Sequence, residues 1–184
     1  MRGPAAFRRT RAGVVLFLVA MFLCFALPAH ADATAFHATY QGTFTITFLT
    51  GPGLSDELSF HGSGSATPGP GTVDGYSTLR SSPGLDGICN RTVEDVVLLT
   101  LPDGALQLHN QARDCLDLLS KPGTVRIVGS GTWTVTGGTG AYAGAQGSGT
   151  VQVAAEVEHL IIGGVAGTFD PLVFDGELVL GGGP

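Results

Sequence analysis

Few residues of this chain combine the types and the spacing that chemistry requires. No two histidines have the His-x-His or His-x-x-x-His spacing that binds metals. Ser130 and Ser148 each lie in Gly-Ser-Gly, which lacks the Gly-x-Ser-x-Gly elbow of hydrolases. A phosphate cradle at residues 137–140 would need a helix behind it, whereas the pattern that follows is that of a strand. The sequence therefore identifies no catalytic residue and predicts neither a metal site nor a cofactor.

The first 31 residues have the pattern of an export signal. Basic residues between 2 and 11 precede an apolar run at 12–27, and Ala-His-Ala at 29–31 supplies the small residues of a cleavage site. The run has about 16 residues where a membrane-spanning helix needs roughly 20, so a membrane anchor is the weaker interpretation. We predict a signal peptide at 1–31, cleavage after Ala31, and a secreted or extracellular protein that leaves the membrane. Residues 32–184 are predicted to form a single domain.

The predicted mature chain is strongly acidic. It keeps all fifteen acidic residues but only five of the nine basic ones, which gives a net charge of −10 against −6 for the full chain. Binding to phosphate groups needs a basic surface, so we expect neither a nucleic-acid partner nor an anionic membrane surface. The acidic residues are scattered along the chain, which is typical of a solubilising surface charge.

Cys89 and Cys115 are the two cysteines of the predicted mature chain. An exported compartment favours their pairing, and a hairpin turn at Asp103-Gly104 would bring them together across two strands. We therefore predict a structural disulfide rather than a metal site or a catalytic thiol. In the chain-entropy model this bridge would stabilise the fold by about 3 to 4 kcal/mol.

The clearest strand signal lies between residues 124 and 158. Val125, Ile127 and Trp133 share one face of a period-2 pattern, which is typical of a half-buried strand. The glycines of Gly-Gly-Thr-Gly at 137–140 accept a positive φ without a steric clash, so we predict the hairpin turn there. A second strand follows, and glycines within it favour the sharp bends of a barrel.

The same alternation recurs along the rest of the chain and predicts eight strands in total. Thr-Pro-Gly-Pro-Gly at 67–71 is predicted to be a loop or an edge crossing, because proline cannot donate a hydrogen bond within a central strand. Residues 114–121 are predicted to form either a single helical turn or a loop with buried leucines. The predicted strands are 36–49, 58–66, 76–80, 88–101, 105–113, 124–136, 143–158 and 167–180.

An all-β set with short connections closes most economically as an eight-stranded antiparallel barrel, because closure removes exposed strand edges. The interior of such a barrel is either filled with side chains or wide enough for one small ligand. A two-sheet β-sandwich is the alternative fold. We predict a single β-barrel domain for residues 32–184.

The predicted hairpin resembles that of a known family. The pattern V-x-G-G-T/S-G-x-F/Y-x-x-x-x-G occurs in the allene oxide cyclase and dirigent proteins of plants and in exported bacterial proteins with an allene-oxide-cyclase-like barrel. The resemblance implies an eight-stranded calycin-like barrel. In the plant cyclases it also implies a homotrimer with an apolar cavity, and in dirigent proteins a pocket that orients phenoxy radicals, so a homo-oligomer is left open. The residues that carry it are Gly137, Gly138, Thr139, Gly140, Tyr142, Gly144 and Gly147.

The candidates for a ligand-lining wall are large apolar or aromatic residues on the strands and at the hairpin. They form either a packed core or the wall of a cavity, and the glycines of neighbouring strands leave room that favours a cavity. The cavity-lining residues of the plant cyclases cannot be matched to positions here, so no catalytic residue is transferred. The candidates are Phe44, Ile46, Phe48, Phe60, Trp133 and Tyr142.

Two classes of function stay open at this point. The first is a secreted barrel that holds or orients a small apolar molecule, with an isomerase or cyclase of the allene oxide cyclase type as its enzymatic version. The second is a non-catalytic cell-surface or matrix protein. An open, apolar lumen favours the first, and a filled lumen favours the second.

Overall fold

The computed structural model describes residues 32–49, 55–81, 89–117 and 123–181. The predicted signal peptide and its cleavage site lie outside these residues. Within them every regular element is a strand, and no helix has the length and apolar character needed to cross a membrane. The strands are β1 (Thr34–Thr47), β2 (Asp56–Ala66), β3 (Gly69–Ser81), β4 (Cys89–Leu101), β5 (Gly104–Asp117), β6 (Val125–Gly140), β7 (Gln146–Ile161) and β8 (Gly164–Val179).

The eight described strands form one closed barrel in chain order. Every neighbouring pair is antiparallel, and β8 completes the cylinder by pairing with β1. Closure leaves no strand of the barrel with a free edge. The predicted all-β fold, an eight-stranded antiparallel barrel, is thus confirmed, and the alternative two-sheet sandwich is not the fold of this chain.

Side chains alternate between the lumen and the outer surface, as the pleat of a strand requires. In β1 the residues Phe36, Ala38 and Tyr40 are buried, whereas the residues between them are exposed or half-buried. The register of β1 against β8 shifts between Tyr40 and Gly42, where β8 has one extra residue. The extra residue moves the inward positions of β8 from Leu172 to Phe169, whereas β1 alternates without interruption, so Phe44 and Ile46 also face the lumen.

One half of the lumen, which we call the filled half, is occupied by large side chains. It lies at the end of the barrel that carries the turns between β2 and β3, between β4 and β5, and between β6 and β7. Trp133 packs edge-to-face on Phe36 with 5.7 Å between ring centroids, and Tyr40 packs on Phe174 at 6.4 Å. The largest fully buried side chains are Trp133, Tyr40, Phe174, Leu99, Leu106, Leu108, Val73 and Val97.

The Gly-Gly-Thr-Gly segment is not the turn that the sequence predicts. β6 continues through Gly140, and the turn lies at residues 141–144. The glycines before it pair with β5, and a Cβ at Gly138 would collide with the carbonyl oxygen of Tyr142. Gly138 is therefore needed because the turn folds back closely over the strand. Gly140 and Gly144, with φ of 60° and 72°, supply the left-handed conformation that the turn requires.

The predicted loop at residues 67–71 is also shorter than expected. Thr67 and Pro68 alone form the turn, and β3 begins at Gly69. Pro70 is accepted within β3 because the pairs of β3 with β4 begin at Thr72, so its missing N–H leaves that ladder intact.

Residues 114–117 extend β5 and do not form the predicted helical turn or loop. They pair with β6 as far as Asp117, and Asp114 and Cys115 also pair with β4. Pairing on both sides favours the extended conformation over a local turn. Residues 118–122, the rest of that prediction, lie outside the described residues.

The predicted disulfide between Cys89 and Cys115 is confirmed. The two residues are direct partners in the β4–β5 register, with 4.0 Å between their Cα atoms. The bridge therefore fastens β4 to β5 at the end of the pair opposite the turn that joins them.

Candidate functional site

A cavity of about 330 Å³ occupies the other half of the lumen, which we call the cavity half. This volume is at the lower end of the range for ligand pockets. All eight strands contribute to its wall, and most of the contributed side chains are apolar. They include Phe44, Ile46, Leu58, Ile127, Val151, Val153, Ala155, Val157, Val165, Phe169 and Leu172.

Four of the six predicted ligand-lining residues lie in this wall: Phe44, Ile46, Phe48 and Phe60. The ring of Phe60 lies where a Cβ on Gly75 of the neighbouring strand would be, and it packs edge-to-face on Phe169 at 6.1 Å. The glycine thus lets an aromatic ring lie flat against the wall. The structure brings these four residues together around one space, and their role in binding a ligand stays a prediction.

Trp133 and Tyr142, the other two predicted residues, lie in the filled half and do not line the cavity. The Trp133 ring fills the space next to Gly176, and its Nε1–H donates to the carbonyl oxygen of Asp175 at 3.2 Å. Tyr142 is buried within the β6–β7 turn. Both residues share the inward orientation that the sequence indicates, but they lie at a different level of the barrel.

Exposed apolar side chains surround the cavity at the end of the barrel away from the filled half. Phe48, Leu116, Val125 and Leu160 each line the cavity and are also exposed, Leu160 with 88% of its surface accessible. Exposed apolar groups at the edge of an apolar cavity are typical of a binding site rather than of a solvated rim. We call these four residues the apolar rim.

A polar cluster lies within this apolar wall, where the β4–β5 ladder is interrupted. Regular pairing stops between Arg91 and Val97, and the Asp95 carboxylate takes over the role of a backbone acceptor. Its Oδ2 accepts the backbone N–H of Asn110 at 2.8 Å, and its Oδ1 accepts the Ser77 hydroxyl at 2.7 Å. Burial raises the pKa of Asp95, although these two hydrogen bonds and the nearby His109 lower it in part.

Asp114 is the second carboxyl group of the cluster. It lies opposite Gly129 of β6, and a Cβ at Gly129 would collide with the Asp114 carboxyl and lie 2.7 Å from Val153. The glycine therefore provides the space that the carboxyl occupies. Burial, followed by the negative charge of Asp95, raises the pKa of Asp114 to about 6.

Asn110 completes the cluster and has an unsatisfied acceptor. The residue is 8% exposed and lines the cavity, and its side-chain Oδ1 has no hydrogen-bond partner among the described residues. An unpaired buried polar atom costs about 1 to 3 kcal/mol, so a ligand that donates a hydrogen bond to it would recover that cost. Asn90 and Thr92 also line the cavity near this cluster.

The sequence analysis misses Ser77, Asp95, Asn110 and Asp114 as site residues. Their signal is nevertheless present, because each occupies an inward position of its strand: Asp95 alternates with Val97 and Leu99 of β4. A polar residue on the apolar face of a strand is the feature that identifies them.

No group of three or more His, Cys, Asp or Glu residues among the described positions could hold a metal ion. The described histidines that form ion pairs lie on the exposed surface: His37 pairs with Asp175 at 2.5 Å, His61 with Asp74 at 2.6 Å, and His159 with Glu158 at 3.9 Å. None of these three pairs lines the cavity. Among the described residues that line the cavity, the ionisable groups are the carboxyl groups of Asp95 and Asp114, whose pKa values are raised by burial.

Comparison with known proteins finds similar folds. A nonspecific heme-binding cyclase, which catalyses a 4 + 2 cycloaddition during neoabyssomicin biosynthesis, is 17% identical with a TM-score of 0.40, and the match covers 96% of this chain and 81% of that chain. The pterocarpan synthase dirigent protein GePTS1 is 16% identical with a TM-score of 0.33 over 93% and 99% of the two chains. The pterocarpan synthase dirigent protein PsPTS1 is 16% identical with a TM-score of 0.32, and the match covers 78% of this chain and 96% of that chain.

No family model and no curated protein matches the sequence. The comparison thus finds the predicted likeness to cyclase and dirigent barrels, at 16% to 17% identity and TM-scores of 0.32 to 0.40. The barrel itself is identified by the order and register of its strands.

Proposed function

We propose that this chain is an exported barrel that holds one small, mainly apolar molecule in the cavity half of its lumen. The observation that carries the proposal is the cavity of about 330 Å³ with its apolar wall. At roughly 30 Å³ for each water-sized group, this volume accommodates about eleven such groups. Burial of an apolar molecule of that size is favourable by about 25 cal/mol for each Å² removed from water.

The polar cluster gives the proposed ligand an orientation. Asp95, Asn110 and Asp114 are polar groups in an otherwise apolar wall, as expected of a pocket that fixes one end of its ligand. The apolar rim offers an entry route for the molecule. The ligand is therefore proposed to place its polar end against β4 and β5, which carry these polar groups, and its apolar part against the other strands.

Export is part of the same proposal. It is supported by the signal pattern of residues 1–31 and by the Cys89–Cys115 disulfide, since such bridges persist in oxidising compartments. Under this proposal the barrel holds its ligand outside the cytoplasm.

A second candidate function is catalysis of an isomerisation or cyclisation in the same cavity. The observation that favours it is Asp114, whose pKa of about 6 leaves both protonation states populated near neutral pH. A general acid or base works best when its pKa lies near the working pH. Asp114 would then exchange a proton with a ligand whose conformation is fixed by the apolar wall.

The test is native mass spectrometry of the mature protein from its own host, followed by solvent extraction. Ala112→Leu introduces a larger side chain into the cavity, and Gln111→Leu places the same side chain at the neighbouring, exposed position of β5. We expect a stoichiometric apolar molecule in the wild type and in Gln111→Leu but not in Ala112→Leu. A protein that carries no ligand, and that also fails to bind added decanol, would contradict the proposal and favour a non-catalytic surface protein.

A further inference from the structure

We propose that the molecule taken up by the cavity has a protonated amine at its polar end, bound by Asp95, Asp114 and Asn110. This inference rests on the function proposed above and specifies the class of ligand. It follows from three observations: the acidic side chains in the cavity wall, the unpaired Oδ1 of Asn110, and the hydrogen bonds that Asp95 already accepts.

The charged side chains of the cavity wall are all acidic. Among the described residues that line it, those from β1, β2, β6, β7 and β8 are apolar, and β3 contributes Ser77. Asp95 of β4 and Asp114 of β5 are the titratable groups that face the space, since Cys115 is held in the disulfide. The exposed Arg113, adjacent to Asp114 in β5, is not part of the wall. A cationic ligand would supply the missing charge.

The hydrogen bonds within the cluster leave acceptors available. Each Asp95 oxygen accepts one hydrogen bond, from Ser77 or from the backbone of Asn110, and a carboxylate oxygen can accept two. The buried Oδ1 of Asn110 has no donor within the part of the chain that the structure describes. An ammonium group has three N–H donors and no acceptor, so it suits a part of the wall whose polar groups, on Asp95, Asp114 and Asn110, offer acceptors.

The inference predicts how binding depends on pH. Below about pH 6 the Asp114 carboxyl is largely protonated, and it attracts a cation only weakly. As the pH rises through this value Asp114 ionises. A bound ammonium group favours the ionised form and lowers the pKa of Asp114 from its raised value. The affinity for an amine should therefore increase from pH 5 to pH 8, a range in which an alkylamine stays protonated, as the pKa of about 10.4 for lysine indicates.

The experiment uses isothermal titration calorimetry of the mature, disulfide-bonded protein with decylamine, decanol and decanoic acid. The three probes share one apolar chain and differ in the charge of the head group. At pH 8 we expect decylamine to bind at least tenfold more tightly than decanol, and decanoic acid to bind most weakly. At pH 5 the advantage of decylamine over decanol should shrink by several-fold.

Two variants assign the effect to the cluster. Asp114→Asn should weaken decylamine binding about tenfold at pH 8 and so reduce the preference for decylamine over decanol, whereas Asp170→Asn, at an exposed position of β8, should leave both affinities as in the wild type. Equal binding of decylamine and decanol by the wild type would overturn the amine inference and leave the proposed function intact. Failure to bind any of the three probes would overturn both.

Discussion

The two halves of the lumen are built from the same strands with the same alternation, yet one is filled and the other is open. In the filled half, aromatic rings pack edge-to-face on one another, and Gly176 leaves room for the largest of them, Trp133. In the cavity half the ring of Phe60 lies flat against the wall over Gly75, and smaller residues such as Ala112 line the space. In both halves a glycine makes room for an aromatic ring. In the filled half the ring occupies the lumen, whereas in the cavity half the ring lies against the wall and leaves the lumen open.

The polar groups of the two halves differ in the same way. Among the described residues of the filled half, the hydroxyl of Tyr40 is a buried oxygen without a partner, and packed side chains surround it. The cavity half contains Asn110, whose Oδ1 has no partner among the described residues, and the carboxyl groups of Asp95 and Asp114, and all three residues line the cavity. A polar group that borders a cavity can be satisfied by a ligand, whereas one in close-packed surroundings cannot. The comparison therefore assigns stability to one half and binding to the other.

The test with the largest expected effect on stability replaces one aromatic residue in each half. Trp133→Ala removes a fully buried ring and its hydrogen bond to Asp175, so we expect a loss of about 3 to 5 kcal/mol in the free energy of unfolding. Phe60→Ala removes a half-buried ring that already borders a cavity, and its expected cost is about 1 to 2 kcal/mol. Urea denaturation of the disulfide-bonded protein measures both values. Equal losses would show that the two halves are packed alike.

The second test concerns the cost of the carboxyl group in the cavity. Because the pKa of Asp114 rises from 3.8 in the unfolded chain to about 6 in the folded protein, the folded state binds the proton more tightly. The stability contributed by Asp114 is therefore lost as the pH rises from about 4 to 6 and does not return above that range. The rise corresponds to about 2 to 3 kcal/mol near neutral pH.

Asp114→Asn removes this cost. At pH 7.5 we expect the variant to be more stable than the wild type by about 2 kcal/mol, and at pH 4 the two should be equal within error. Asp170→Asn, at an exposed position, is the control and should not change the pH profile. Thermal unfolding between pH 4 and pH 8 gives the comparison. A variant less stable than the wild type at neutral pH would mean that the Asp114 carboxylate is satisfied within the folded protein.

Much of the fold follows from the sequence because its signals are local. Alternation predicts eight strands, and closure follows from short connections and from the need to remove strand edges. The errors have local causes as well. Gly-Gly-Thr-Gly at 137–140 has the composition of a turn, but a close contact with the following loop explains its glycines equally well. The sequence cannot distinguish these two needs.

Whether a residue lies in the filled half or in the cavity half depends on its position along the barrel axis. The alternation pattern of a single strand does not reveal that position. Trp133 and Ile127 lie on the same face of β6, yet Trp133 lies in the filled half and Ile127 lines the cavity. The level of each residue depends on strand register and on the bulges that shift it, such as the one between Gln107 and Leu108. Asp95 was missed for a related reason, since an acidic residue is usually assigned to the surface.

The smallest test concerns the unpaired hydroxyl of the filled half. Burial, followed by the proximity of Tyr142, raises the pKa of Tyr40 to about 12, and its hydroxyl has no partner among the described residues. Tyr40→Phe keeps the ring packing on Phe174 and removes the unsatisfied group, so we expect a gain of about 1 kcal/mol in stability. Decanol binding should be unchanged, because Tyr40 does not line the cavity. A loss of stability would mean that the hydroxyl has a partner in the folded protein. A change in decanol affinity would mean that the two halves are coupled, and the separation of stability from binding would then fail.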